Sequence, residues 1–150
     1  MAPRARDADL FFFYGTLVAG GHPAAAGVHR RLRPLGAATT AGMLLAIADP
    51  AGWYPALVPG VGTVHGKLYA ALPGFTPADL AVLDRYEGYR AEEPAGSDYV
   101  RRRTPVRDAG GQPRRALAYW WNRPAGDAPG IAGGDFAGWL ARHGRDAFGG

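Results

Sequence analysis

Four large apolar residues in a row, Leu10-Phe11-Phe12-Phe13, stand near the start of this sequence, and Tyr14-Gly15-Thr16 follows at once. Side chains on a strand alternate between its two faces, so a run with no polar position predicts a strand covered on both sides. The run is too short for a membrane span or a signal-peptide core. The whole chain has 150 residues. That length suits one domain, able to bury about two-thirds of its unfolded surface. Residues 1–150 are therefore expected to form one domain, with 1–8 as a polar leader and 122–150 as a tail without a recognisable motif.

The remaining pattern alternates strands with a few helices. Residues 35–48 predict a long strand that ends at Asp49-Pro50-Ala51-Gly52. Residues 53–58 predict a short or edge strand, because Pro55 lacks the donor that a central strand needs. Residues 62–72 predict another strand, and 99–107 with 114–121 predict a hairpin around Asp108-Ala109-Gly110-Gly111. Residues 76–86 predict the clearest helix: Thr76 as N-cap, Pro77 at the first position, Asp79 in the first turn, Leu80 and Leu83 on one face, Gly88 as terminator. Alanine-rich 23–31 predicts a short helix, and 135–143 a last one with Asp135 as cap and Phe136, Trp139 and Leu140 on its apolar face. Together these predict an α+β domain with a curled or closed mixed sheet.

Composition removes several chemistries. There is no cysteine, which excludes disulfides, thiolate catalysis and cysteine-held zinc. His22, His29, His65 and His143 form no metal-binding spacing. Ser97 is the only serine, and no nucleophile-elbow, phosphate-loop or dinucleotide motif occurs. The net charge is +4 and Lys67 is the only lysine, but thirteen acidic residues are interspersed with the basic ones. That mixture argues against a surface built for nucleic acid.

Three constellations can carry chemistry. Tyr14-Gly15-Thr16-Leu17 offers backbone N–H groups at the end of a buried strand, either as an ordinary turn or as an oxyanion or carboxylate cradle. Glu87 sits at a helix C-terminus among aromatic residues. It reads either as a solvated helix-end glutamate or as a carboxyl whose pKa the helix dipole and burial raise into the range of a general base. Asp84, one helical turn earlier, is a possible second carboxylate. Glu92 and Glu93 in the following loop are further acidic candidates. Arg101-Arg102-Arg103 places Arg101 and Arg103 on one strand face and Arg102 on the other, as exposed charges or as an anion-binding patch.

Five segments carry a resemblance. Phe13-Tyr14-Gly15-Thr16-Leu17 with Gly20-Gly21 behind it comes first, then Tyr54-Pro55-Ala56-Leu57-Val58-Pro59-Gly60 and Val64-His65-Gly66-Lys67-Leu68-Tyr69. Leu83-Asp84-Arg85-Tyr86-Glu87-Gly88-Tyr89 and Tyr99-Val100-Arg101-Arg102 complete the series. In order and spacing, from about residue 10 to residue 121, the chain resembles the gamma-glutamylcyclotransferase-like family, in its gamma-glutamylamine cyclotransferase or avirulence-induced-gene-like branch. The resemblance implies a small β-barrel of mixed strands with flanking helices. It implies that Tyr14, Gly15, Thr16 and Leu17 hold a gamma-glutamyl group, that Glu87 is the catalytic acid/base, and that Tyr99 lies near the pocket. It further implies a cofactor-independent enzyme that releases 5-oxoproline from a small-molecule gamma-glutamyl substrate, and the lack of any run of membrane-span or signal-peptide length leads to the expectation of a cytoplasmic protein. No metal, nucleic-acid partner or membrane is expected. A non-catalytic metabolite-binding module of the same fold, and an arginine-driven nucleic-acid binder, are the competing expectations.

Overall fold

The computed structural model describes residues 10–15 and 26–145. Its elements are β1 (Leu10–Phe13), α1 (Ala26–His29), β2 (Leu32–Asp49), β3 (Gly52–Ala71), α2 (Pro77–Tyr86), β4 (Tyr99–Arg107), β5 (Pro113–Trp121) and α3 (Phe136–His143). Short 3-10 turns occupy Pro94–Gly96 and Ala132–Gly134. The strands close into a barrel in the order β1-β3-β2-β4-β5. All neighbours run antiparallel except β1 and β5, which meet in parallel at Phe11↔Leu117. The mixed, closed sheet expected from the pattern and the resemblance is what the chain forms. Among the described residues, no helix is long and apolar enough to cross a membrane.

The alternation of β1 explains its unbroken apolar run. Leu10, Phe12 and Tyr14 point into the barrel, against Leu57, Leu68 and the small Ala116 and Ala118. Phe11 and Phe13 point outward into a second cluster with Leu83 of α2, Tyr69 and Tyr99. A barrel of few strands has room for a few large interior side chains only where alanines face them.

Residues 53–58 and 62–72, expected as separate strands, are one continuous β3. Opposite Gly42 of β2 the register slips, with Ala41↔Thr63 on one side and Met43↔Val58 on the other, so Pro59–Gly62 is accommodated as a bulge rather than a break. Pro55 is tolerated because it pairs only with Ala46 of β2, while β1 covers β3 at residues 67–70 alone. It is locally an edge position, as a proline requires.

The expected helices form. Helix α2 starts with a capping box in which Asp79 N–H donates to Thr76 Oγ1 and Thr76 N–H donates to Asp79 Oδ2 at 2.9 Å. Asp79 also holds Arg31 at 2.8 Å. Only residues 26–29 of the predicted 23–31 helix are seen, its first residues lying outside those described. The tail without a motif packs onto the barrel. Ala46 N–H donates to the carbonyl of Pro129 and Ile131 N–H to that of Leu44, which stitches the glycine-rich segment to β2. Helix α3, capped by Asp135, then buries Phe136 and Trp139 in the interior cluster. Trp139 packs on Trp53 with ring centroids 5.2 Å apart.

Candidate active site

Local chemistry at the end of α2 sets the position of Glu87. Gly88 N–H donates to the carbonyl of Arg85 and Tyr89 N–H to that of Asp84. These two bonds make a Schellman ending with Glu87 as C-cap and Gly88 just beyond. Gly88 has φ of 68°, a left-handed conformation that glycine adopts without strain. The chain therefore reverses immediately after Glu87, and the half-buried glutamate faces back toward the barrel.

There it lines a cavity of about 240 Å³ between the end of β1, the start of β3, the end of α2, the start of β4 and the end of β5. Tyr14, Tyr99 and Tyr119 line the same cavity. Each phenol is anchored elsewhere. Tyr14 OH donates to the carbonyl of Tyr119. Tyr99 OH donates to the carbonyl of Pro55 at 2.6 Å, and Tyr119 OH to Asp84 Oδ1 at 2.7 Å. Burial raises the pKa of all three, and the negative charge of Glu87 adds to the effect on each.

No hydrogen-bond donor among the described residues is spent on the Glu87 carboxyl. Burial without compensating donors raises its pKa to about 8. Near pH 7 roughly nine molecules in ten therefore carry it protonated, a state from which it exchanges a proton readily. The same burial weakens the fold. In the unfolded chain the carboxyl ionises near its ordinary value. The folded state is at no disadvantage below that value, loses stability as pH rises toward about 8, and loses no more above it. Glu87→Gln is expected to stabilise the protein by about 1–3 kcal/mol at pH 8.5, a range reduced for partial solvent access, and to leave stability unchanged near pH 4. Thermal unfolding of both proteins at the two pH values checks this.

Of the residues singled out in the sequence, Glu87, Tyr14, Gly15 and Tyr99 come together in this cavity. Thr16 and Leu17 lie outside the described residues. Gly15 passes close to β3, where a Cβ would stand 2.7 Å from Pro55 Cγ. Asp84 is not a second acid in the cavity: its carboxylate is taken by Arg101 and Tyr119. Glu92 and Glu93 are exposed, and Glu93 pairs with Arg90 at 3.0 Å. The three arginines do not form one basic face, since Arg101 turns to Asp84 while Arg102 is exposed. Among the described residues, no group of three His, Asp or Glu side chains is arranged to hold a metal ion.

Sequence reasoning passed over Tyr119, Tyr54 and Trp121, which complete the aromatic wall. The signal for Tyr119 and Trp121 was the hairpin register, which does not include Tyr54 of β3. Tyr99 pairs with Trp121 and Arg101 with Tyr119, so these residues share the face that α2 covers.

Comparisons with known proteins agree with this architecture. A solution structure of the protein ytfP from Escherichia coli superposes with a TM-score of 0.57 at 26% identity, covering 89% of this chain and 98% of that one. A crystal structure of an AIG2-like protein from Mus musculus gives 0.55 at 20% identity over 77% and 79%. A structure named gamma-glutamyl cyclotransferase gives 0.54 at 15% over 81% and 69%. At the lower identities the likeness is one of fold. No curated protein shows significant similarity to the sequence. The sequence pattern of the family described as "Gamma-glutamyl cyclotransferase, AIG2-like" matches residues 11–139, from β1 into α3. The chain belongs to that family.

Proposed function

We propose that the protein is a cofactor-independent gamma-glutamyl cyclotransferase in which Glu87 moves the protons. The observation that carries this reading is the Glu87 carboxyl, drawn out of solvent on the wall of the cavity with no donor to it among the described residues. A volume of about 240 Å³ lies below that of drug-sized sites and suits a small metabolite.

The reaction needs no nucleophile from the protein. The substrate's own alpha-amine attacks its gamma-amide carbon, forming the C–N bond of a five-membered lactam. Glu87 takes a proton from the attacking nitrogen and returns one to the departing nitrogen as the old C–N bond breaks. The products are 5-oxoproline and a free amine. The pocket holds the gamma-glutamyl chain in its folded conformer, which replaces an unfavourable search by a single geometry. Backbone N–H groups of the loop beginning at Tyr14-Gly15 are the proposed donors to the tetrahedral oxyanion.

The test is 5-oxoproline release from a panel of gamma-glutamyl amines, amino acids and peptides. Release with a saturable rate supports the reading. Tight binding of a panel member without release moves it to a metabolite-binding module. The pH dependence follows from the same carboxyl. The base must be ionised to act, so kcat/KM is expected to rise about tenfold per pH unit below its midpoint and to level off above about 8. A profile that is flat from pH 6 to 9 would remove Glu87 from the proposed role.

A further inference from the structure

Among the described residues no side chain holds the Glu87 carboxyl by a hydrogen bond, so its place in the cavity depends on where the end of α2 sits. Most of the contact between α2 and the barrel is apolar, through buried Leu83 and the half-buried Leu80, Val82 and Tyr86. Apolar contact is non-directional and leaves a helix free to slide or roll. Polar ties oppose this: Arg31 pairs with Asp79 in the first turn of α2, Asp98 N–H donates to the carbonyl of Gly88 just past its end, and a shielded tie stands one turn before Glu87. Asp84 accepts from Tyr119 OH of β5 with one oxygen and pairs with the Arg101 guanidinium of β4 with the other. The pair is shielded, with side-chain exposures of 16% for Asp84 and 21% for Arg101. Arg101 in turn lies over the ring of Tyr89, 5.4 Å from its centroid. Tyr89 follows the Schellman turn, so the residues flanking Glu87 on both sides share one partner. The carbonyl of Tyr119 accepts from Tyr14 OH at the start of the candidate substrate loop. Tyr119 thus joins that loop to the helix that carries Glu87.

We infer that Asp84 is a positioning residue: through Arg101 and Tyr119 it fixes the end of α2 so that the Glu87 carboxyl stays inside the cavity beside Tyr14. A charge-assisted bond and a second hydrogen bond to different strands define an angle and a height that packing alone does not. This rests on the proposed role of Glu87. The groups facing Glu87 around the cavity are Tyr14 after β1, Asp49 at the end of β2, Tyr54 of β3, Arg85 of α2, Asp98 and Tyr99 at the start of β4, and Tyr119 of β5. Asp84→Asn alters charge as well as position. Tyr119→Phe alters no charge, so the two variants separate a change of place from a change of field.

The experiment uses full-length protein labelled with carbon-13 at the glutamate carboxyl. The chain has only three glutamates, Glu87, Glu92 and Glu93, so the spectrum is simple. The wild-type Glu87 signal is expected to titrate near 8. In Tyr119→Phe and in Asp84→Asn the midpoint should fall by about one unit or more as water reaches the carboxyl. For 5-oxoproline release, kcat should fall about tenfold and about a hundredfold respectively, with KM within about threefold, because misplacement by about 1 Å costs rate rather than binding. The double variant should match Asp84→Asn, since both substitutions break the same tie. Folded variants whose Glu87 midpoint and kcat both stay at wild-type values would overturn the inference. So would a rise in KM alone. If Asp84→Asn does not fold, Tyr119→Phe decides. A wild type that releases no 5-oxoproline would sink the proposed reaction, while the carbon-13 midpoints would still decide the role of Asp84.

Discussion

Glu87→Gln is expected to lower kcat for 5-oxoproline release by about 10³-fold while the protein stays folded. Glutamine keeps the size of the side chain and removes its ability to accept and return a proton. The size of the loss depends on whether another carboxyl can take over, and those near the cavity among the described residues are already engaged. Asp98 lines it but is paired with Arg123 at 3.0 Å. Asp49 lines it too, with its carboxylate accepting from Ala51 N–H at 2.9 Å. Asp84 is held by Arg101 and Tyr119. The matched controls Glu92→Gln and Glu93→Gln change exposed residues and are expected to keep activity within about twofold. Initial-rate measurements on the three variants decide the matter. Retention of more than about a tenth of wild-type activity by Glu87→Gln would mean that the proton passes through another group.

The second large effect is on stability. Gly134→Ala is expected to destabilise the fold by about 3–5 kcal/mol, the sum of a left-handed backbone penalty and a clash. Gly134 is buried in the 3-10 turn that leads into α3, with φ of 65°. A Cβ there would stand 2.0 Å from the carbonyl oxygen of Thr63 and 3.0 Å from Cα of Val64, and both are backbone atoms of β3 that cannot swing aside. Gly133 is the control. Its φ is 81°, but no atom lies within 4 Å of an added Cβ. Gly133→Ala should therefore cost only the backbone penalty, about 1 kcal/mol. Urea unfolding of the two variants measures the difference. Equal losses would show that β3 yields to the added methyl group and that the turn is not tightly seated on it.

Much of the fold was legible because it rests on local chemistry. Thr76, Pro77, Asp79 and Gly88 mark both ends of α2, and each acts through atoms within a few residues of itself. The β4–β5 hairpin followed from alternation on either side of a glycine turn. The continuity of β3 was not legible. Pro59, Gly60 and Gly62 look like a break in the sequence, and only the long partner β2 holds the two halves in one ladder across the bulge. The role of the tail was hidden for a similar reason: residues 128–139 carry no motif, yet they bond to β2 and fill the barrel's interior cluster.

The candidate site divides along the same line. The sequence by itself determined that Glu87 ends a helix beside a glycine, that Tyr14-Gly15 ends a two-sided strand, and that no cysteine and no nucleophile-elbow serine is present. The resemblance singled out Glu87, and only the tertiary structure decided which of the three glutamates is buried. Glu87, Glu92 and Glu93 are chemically identical, and what separates them is the environment each meets when distant strands come together. It likewise decided that Asp84 belongs to Arg101 and Tyr119 rather than to any other of the chain's many cations and phenols. Burial and pairing depend on barrel register, which is a property of the closed sheet as a whole, and no short stretch of sequence contains it.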